Sequence, residues 1–360
     1  MQQSKLQLVK NGEGNSGLSS RVHTEIPSFF PALLDRLLHS LDYIAILRPL
    51  LLIPVWTMLF LGYYKGLDGR LTTHTIQISL PLVGNMPIVW LPDKEVLITL
   101  FLYSMMMGAV YILNQMSDSH TDKINGKLYL VAQGYMKENS LKIQIGILFL
   151  ISITIAFLRF SRIYAYLILL SIVLGVLYSI PPFRLKGRPV LDLLANASGF
   201  GVVAFAVGWA SKSTLSTKLI LDCLPYVICV SAAFINTTIP DMKGDVQNGD
   251  ITTGIFLGIR NSCIVSTLLV GIVPLISLLL GDFICLAASA LSLPFFVYMT
   301  ISNWDERSPE ISAITLTTKV SLLILSLLVA VFVPFYFALL IPTVLLMKAY
   351  YRMRFGLSYP

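Results

Sequence analysis

Residues 114–125 read NQMSDSHTDKIN and follow directly on the apolar run ITLFLYSMMMGAVYIL. If that run is a helix, Asn114, Asp118 and Asp122 fall at i, i+4 and i+8 and form one stripe at its end. Carboxylates at this spacing repel by roughly 0.2–0.5 kcal/mol in water, and by more beside lipid. A divalent cation reverses the sign. Oxygen-only ligands with room for water suit Mg²⁺, which takes one or two carboxylates and completes its shell with substrate phosphates. The plain alternative is a helix end facing water, and the stretch alone does not separate the two.

The surrounding chain explains why a wet helix end is not a trivial observation. Of 360 residues, 56% are apolar and 12% charged, and the mean hydropathy is +0.77. Lipid is therefore the solvent for most of this protein. Apolar runs long enough to cross the bilayer core recur near 43–63, 95–117, 141–159, 162–181, 190–210, 219–240, 255–280, 282–302 and 318–346. These runs do not alternate polar with apolar, which argues against a β-barrel. An all-α polytopic membrane protein with nine transmembrane helices is expected. TTHTIQISLPLVGNMPIVW, between the first two runs, is mixed in character and reads as a re-entrant or interfacial piece.

A formal charge of +7 invites a nucleic-acid reading. The basic residues are instead scattered between apolar runs, where they set topology and meet phosphates at the membrane surface. No nucleic-acid partner is expected. Their distribution favours a cytoplasmic N-terminus, with the loops after the second, fourth and sixth spans on that same face. Cys223, Cys229, Cys263 and Cys285 lie in or beside apolar runs without CxxC pairing, so they read as packing residues. The polar KNGEGNSGLSS segment marks a flexible N-terminal tail, and no cleavable signal peptide is expected.

Two further constellations fall on the face of the first. NTTIPDMKGDVQNGDITTG (Asn236–Gly254) closes the sixth span, and its Asp241 and Asp245 repeat the four-residue spacing. Asp250, farther on, reads as a loop residue. YSIPPFRLKGRP (Tyr178–Pro189) follows the fourth span, with prolines ending the helix and Arg184, Lys186 and Arg188 at alternate positions. That basic run is either a topology anchor or a clamp for anionic oxygens. Two Asp-x-x-x-Asp elements and a basic loop on one face describe a site for a metal-bound diphosphate whose hydrocarbon tail lies in the bilayer.

With these motifs in place, the chain resembles the UbiA superfamily of intramembrane prenyltransferases, whose members have nine transmembrane helices. Its N-(D/Q)-x-x-D-x-x-x-D signature is matched by Asn114-Gln115-x-x-Asp118-x-x-x-Asp122, and its D-x-x-x-D signature by Asp241 to Asp245. YSIPPFRLK is similar to the family's loop after helix 4, and LRPLLLIP around Arg48 to its first-helix start. The similarity runs through residues 43–345 or so in order and spacing.

The resemblance implies a polar tail and interfacial segment over 1–42, a UbiA-like domain over 43–346 and a short basic tail over 347–360. It implies Mg²⁺-dependent transfer of a prenyl group from an allylic prenyl diphosphate to an aromatic or quinone-precursor acceptor. By carry-over, Asn114, Asp118 and Asp122 face one side of the metal cluster and Asp241 and Asp245 the other. Lys186, Arg184, Lys127 and Asn236 take diphosphate oxygens. An acceptor or cation pocket would draw on Arg48, Tyr111, Tyr178, Asp192 and Asn196, with Phe234 a further aromatic candidate. Asp192 is included because an intramembrane carboxylate costs roughly 2.5–3.5 kcal/mol on insertion scales. His120, two residues from each neighbouring aspartate, points off the stripe and is expected to face water or headgroups.

The sequence departs from the family after the first motif. There the pattern is Asn-(Lys/Arg)-Pro-x-x-Pro, but INGKLYLVAQG (Ile124–Gly134) has no proline and places Lys127 where one is usual. Gln115 in place of Asp is similar to members acting on homogentisate-like aromatics. A membrane terpene cyclase using the same diphosphate site is the alternative within the fold. A transporter is disfavoured because the acids sit at helix ends, with no inverted repeat evident.

Overall fold

The computed structural model describes residues 32–69, 74–80, 84–125 and 130–357. The chain divides into two units, Met1–Leu41 and Asp42–Pro360, and the second holds the bundle and all the motifs. Helix α1 (Ala32–Ala45) is followed by α2 (Pro49–Gly66). Proline at the start of α2 suits its first turn but excludes the preceding residue from helical geometry, and Arg48 takes a φ of 52°.

The segment expected to be re-entrant or interfacial forms an antiparallel hairpin of β1 (Thr75–Leu80) and β2 (Gly84–Val89), paired from Thr75–Val89 to Leu80–Gly84. Its TIQISL run alternates in sequence, yet Ile76 and Ile78 are both exposed. The Tyr64 hydroxyl donates to the Pro87 carbonyl at 3.0 Å, pinning the hairpin to the end of α2.

The chain continues with α3 (Lys94–Ile124), α4 (Glu138–Arg159), α5 (Arg162–Ser179) and α6 (Leu191–Ala210). The centre of α6, Ala197–Val203, takes a wider π winding. Helix α7 (Thr217–Thr238) tightens through Ile239–Asp241 and continues as α8 (Met242–Asn248). After α9 (Thr253–Leu257) come α10 (Ile259–Leu279), α11 (Phe283–Ser302), α12 (Ile311–Phe332) and α13 (Phe337–Phe355).

Among the described residues ten helical stretches are long and apolar enough to cross a membrane, one more than the expected nine. The extra one arises where the run read as 318–346 breaks after α12. Pro334 opens a single tight turn, Pro334–Tyr336, from which α13 starts afresh and runs to Phe355. Proline lacks the donor and the space to continue a helix but is well placed to begin one.

Helix α2 is apolar on all sides and accordingly central. Its Gly62 and the Gly208 of α6 mark a contact made backbone to backbone: a Cβ on Gly62 would lie 1.9 Å from the Phe205 carbonyl oxygen, and one on Gly208 2.0 Å from that of Leu59. Lipid is as apolar as leucine, so helices associate through such close approaches and through hydrogen bonds. Of the latter, Trp56 donates to Ser104 Oγ at 2.7 Å, and the Tyr336 hydroxyl joins Thr57 at 2.8 Å. Helix α3 is likewise interior, with 67% of its most apolar stretch buried, against 22% for peripheral α4. Cys223, Cys263 and Cys285 are buried free thiols, as packing residues would be.

Candidate active site

The first motif lies wholly on helix, because α3 continues unbroken to Ile124. Asn114, Asp118 and Asp122 therefore form the stripe that their spacing dictates. Asp122 is buried at 8% exposure, Asn114 and Asp118 are half-buried, and His120 is exposed. Two contacts tie the stripe to the end of α5: Ser117 Oγ donates to the Ser179 carbonyl at 2.7 Å, and Asn114 Nδ2 approaches Ser179 Oγ at 3.4 Å.

The residue that joins the two Asp motifs is Asn125, which caps α3. Its Oδ1 accepts the Gly244 amide at 2.9 Å, and its Nδ2 reaches the Asp241 carbonyl at 3.4 Å. A Cβ on Gly244 would sit 2.5 Å from Asn125 Nδ2, so the glycine is what lets the clamp close. The end of α3 is thus fastened to the start of α8, with Asp118 and Asp122 on the first, Asp241 capping the second and Asp245 within it. Asn125 ends the stretch that opened the sequence reading, but only the fold shows its partner.

The basic loop between α5 and α6 folds over this junction, turning back through the cis Pro181–Pro182 bond. Arg184 Nε and Nη2 form a two-pronged pair with Asp250, at 2.9 and 2.7 Å. Its Nη1 donates to Ser117 Oγ at 2.9 Å, and Nη2 approaches Asp118 Oδ1 at 3.4 Å. Lys186 Nζ pairs directly with Asp118 Oδ1. The hydrogen bonds it donates to Asp250 hold the Arg184 guanidinium even more firmly protonated than usual. Burial presses the Lys186 ammonium below the usual lysine range, and the Asp118 carboxylate only partly opposes that. An ammonium that is buried and poorly solvated gains strongly from a further anion.

Asp250, read from the sequence as a loop residue, is therefore part of the site. Gly249, at φ 81°, ends α8 in left-handed geometry and turns the chain so that the Asp250 amide returns to the Asp245 carbonyl at 2.9 Å. Three more bonds stitch this loop to the basic one. The Ile251 amide donates to the Gly187 carbonyl at 3.0 Å, the Val190 amide donates to Thr253 Oγ1 at 2.8 Å, and the Thr253 amide donates to Asp192 Oδ2 at 2.7 Å.

Asp192 is fully buried, and its oxygens accept from the Thr253 amide and hydroxyl and from the Leu193 amide, so it anchors the seam. Asn236 is buried as well. At 1% exposure it lies between α7 and α10, its Oδ1 accepting from Ser266 Oγ at 3.0 Å. Phe234, on the same helix, is buried. Tyr111 donates its hydroxyl to the Leu51 carbonyl at 2.8 Å, at the start of α2 beside Arg48. Tyr178, by contrast, is half-buried near the end of α5, next to the Ser179 whose carbonyl accepts from Ser117. Gln115 is buried and donates to the Ile46 and Tyr111 carbonyls, away from the stripe. Lys127 and Tyr129 lie outside the described residues.

Among the described residues, no three acidic, histidine or cysteine side chains converge on one ion-sized space. The acids stand as pairs on two clamped helices, and all the donors on offer are oxygens. Such a set fits Mg²⁺ held jointly with phosphate oxygens and water, not a fully protein-ligated ion. Arg184 and Lys186 meanwhile neutralise Asp118 and Asp250, so the site is built from charges of both signs within reach of one another.

Known proteins show where this architecture belongs. The family model of UbiA prenyltransferases matches residues 52–316. Probable homogentisate phytyltransferase 2, chloroplastic, of Oryza sativa subsp. japonica is 28% identical over 170 residues, covering 44% of this chain and 45% of that protein. Digeranylgeranylglyceryl phosphate synthase of Sulfurisphaera tokodaii is 26% identical over 180 residues, covering 49% of this chain and 62% of that one. The chain thus aligns with about half the length of the curated relatives it matches. In fold it is similar to a UbiA homolog from Archaeoglobus fulgidus whose structure is bound to GPP and Mg²⁺, with a TM-score of 0.59 and 19% identity over 83% of this chain and 99% of that one. With nearly three-quarters of its length inside the family's match, this chain belongs to the UbiA prenyltransferase family.

Proposed function

We propose that the protein transfers a prenyl group from an allylic prenyl diphosphate to an aromatic or lipid-like acceptor within the membrane, with Mg²⁺ bound alongside the diphosphate. The observation that carries this reading is the junction at Asn125, which faces two acidic helix ends toward each other beneath a folded-over basic loop. Asn114, Asp118, Asp122, Asp241 and Asp245 would hold the ion, which supplies positive charge to the departing diphosphate. Lys186 already pairs with Asp118, and Arg184 stands 3.4 Å from it, so both cations are placed to bond phosphate oxygens as these arrive.

In the reaction the bond between the prenyl C1 and its bridging oxygen breaks, and pyrophosphate leaves with the electron pair. A nucleophilic carbon or oxygen of the acceptor bonds to C1 and gives up its proton. Charge builds on the leaving group, so fixed cations near it act on the transition state. The electron-poor prenyl carbon needs surroundings that exclude water, and Tyr178, beside the Ser179 that bonds Ser117, is the aromatic candidate for it. The two acceptor classes follow from the relatives, one named for homogentisate and one for digeranylgeranylglyceryl phosphate. The motif-bearing loops and the N-terminus are assigned to the cytoplasmic face on loop charge.

Purified protein given prenyl diphosphates of graded length, Mg²⁺ and a panel of phenolic and glycerol-phosphate acceptors should yield a prenylated acceptor by mass spectrometry. A cyclic hydrocarbon formed without acceptor would replace transfer with cyclisation. Pyrophosphate release that survives Asp118→Ala and Asp241→Ala would remove the diphosphate site altogether.

A further inference from the structure

Asp250 lies outside both Asp motifs, yet the fold is shaped to bring it to Arg184. Its carboxylate takes two prongs of the guanidinium, and Asn248 Nδ2 steadies Oδ2 at 2.8 Å. Gly187 makes room: a Cβ there would lie 2.2 Å from Asp250 Oδ1. Arg184 has a second carboxylate in reach, since its Nη2 stands 3.4 Å from Asp118 Oδ1 and only 2.7 Å from Asp250 Oδ2. Asp118 Oδ1 already carries Lys186.

We propose that Asp250 is a positioning residue that acts as a counter-charge, holding Arg184 short of full engagement with Asp118 and so keeping that carboxylate available to a metal-bound diphosphate. Without it, the guanidinium has one carboxylate left within reach, and two cations then compete with Mg²⁺ for Asp118. The inference rests on the diphosphate reading above.

The seam between the two loops keeps its other links when Asp250 is changed, namely Ile251 to Gly187, Val190 to Thr253 and Thr253 to Asp192. Asp250→Asn is therefore expected to fold. The test is calorimetric binding of inorganic pyrophosphate in the presence of Mg²⁺, alongside donor KM and kcat. Losing a charge-assisted two-pronged partner should weaken pyrophosphate binding about tenfold. Donor KM and the Mg²⁺ concentration for half-maximal rate should rise by a similar factor, with kcat changed less. In an Arg184→Gln background the same substitution should do little more, and Asp250→Glu should recover most of the loss. Equal binding by wild type and Asp250→Asn overturns the proposal, as does an Asp250→Glu protein no better than Asp250→Asn, or a penalty that persists undiminished beside Arg184→Gln. A wild-type protein that binds no pyrophosphate with Mg²⁺ overturns the diphosphate reading itself, and this inference with it.

Discussion

Gly244→Ala tests whether the two Asp motifs are clamped by Asn125 or merely adjacent. The new Cβ would lie 2.5 Å from Asn125 Nδ2 and 2.6 Å from its Cγ and Oδ1, so the carboxamide must move. Overpacking of this kind costs about 1–3 kcal/mol. The displaced side chain also gives up its bond from the Gly244 amide, worth about 1 kcal/mol. Alanine recovers about 1 kcal/mol because Gly244 lies within a helix. The net loss should be about 1–3 kcal/mol, read as a lower midpoint of thermal unfolding in detergent. Because the clash parts α3 from α8, donor KM should rise about tenfold or more, since small displacements of positioned groups cost rate steeply. The decisive comparison is with Asn125→Ala. Removing the carboxamide removes the clash, so Gly244→Ala/Asn125→Ala should be no worse than Asn125→Ala alone. Penalties that simply add would refute the clamp.

Lys186→Met removes a buried cation on Asp118 and should lower turnover of prenyl diphosphate about 100-fold or more, while the detergent-solubilised protein keeps its helical circular dichroism; a loss under threefold would contradict its role. Asp192→Asn should lower the unfolding midpoint by loosening the Thr253 seam, with donor and acceptor KM within about twofold of wild type; an unchanged midpoint with lost turnover would return Asp192 to the chemistry. Burial raises the Asp250 carboxyl, but hydrogen bonds from Arg184 and Asn248 outweigh it and hold the group below the usual carboxylate range. Its folded value lies below its unfolded one, so its stabilisation is complete above about pH 4 and is lost as the pH falls further. The unfolding midpoint should therefore drop more steeply below about pH 4 in wild type than in Asp250→Asn, and parallel curves would contradict the assignment.

Much of this protein was legible in one dimension because its governing constraints are local. A backbone in lipid must satisfy its own hydrogen bonds, so long apolar runs become helices. A four-residue spacing at their ends becomes a stripe, whichever helices surround it. That logic alone reached the helical bundle, the carboxylates at 118, 122, 241 and 245, and the basic loop with Arg184 and Lys186. It stumbled where local composition was ambiguous. The hairpin at 75–89 has too few residues and too mixed a character to separate strand from interfacial coil, and Pro334 lies in a run apolar enough to read as one span.

What tertiary structure alone decided is which polar groups meet. Asn125 and Gly244 are 119 positions apart, and Arg184 and Asp250 are 66 apart. Neither pair leaves any trace in spacing, because a hydrogen bond between loops depends on how helices cross and not on periodicity. The same holds for Asp192 and Asn236, whose partners, Thr253 and Ser266, lie on elements distant in sequence. The chain's own order determines that charges gather at helix ends; only the packed fold determines which of them meet, as Arg184 meets Asp250 and Lys186 meets Asp118.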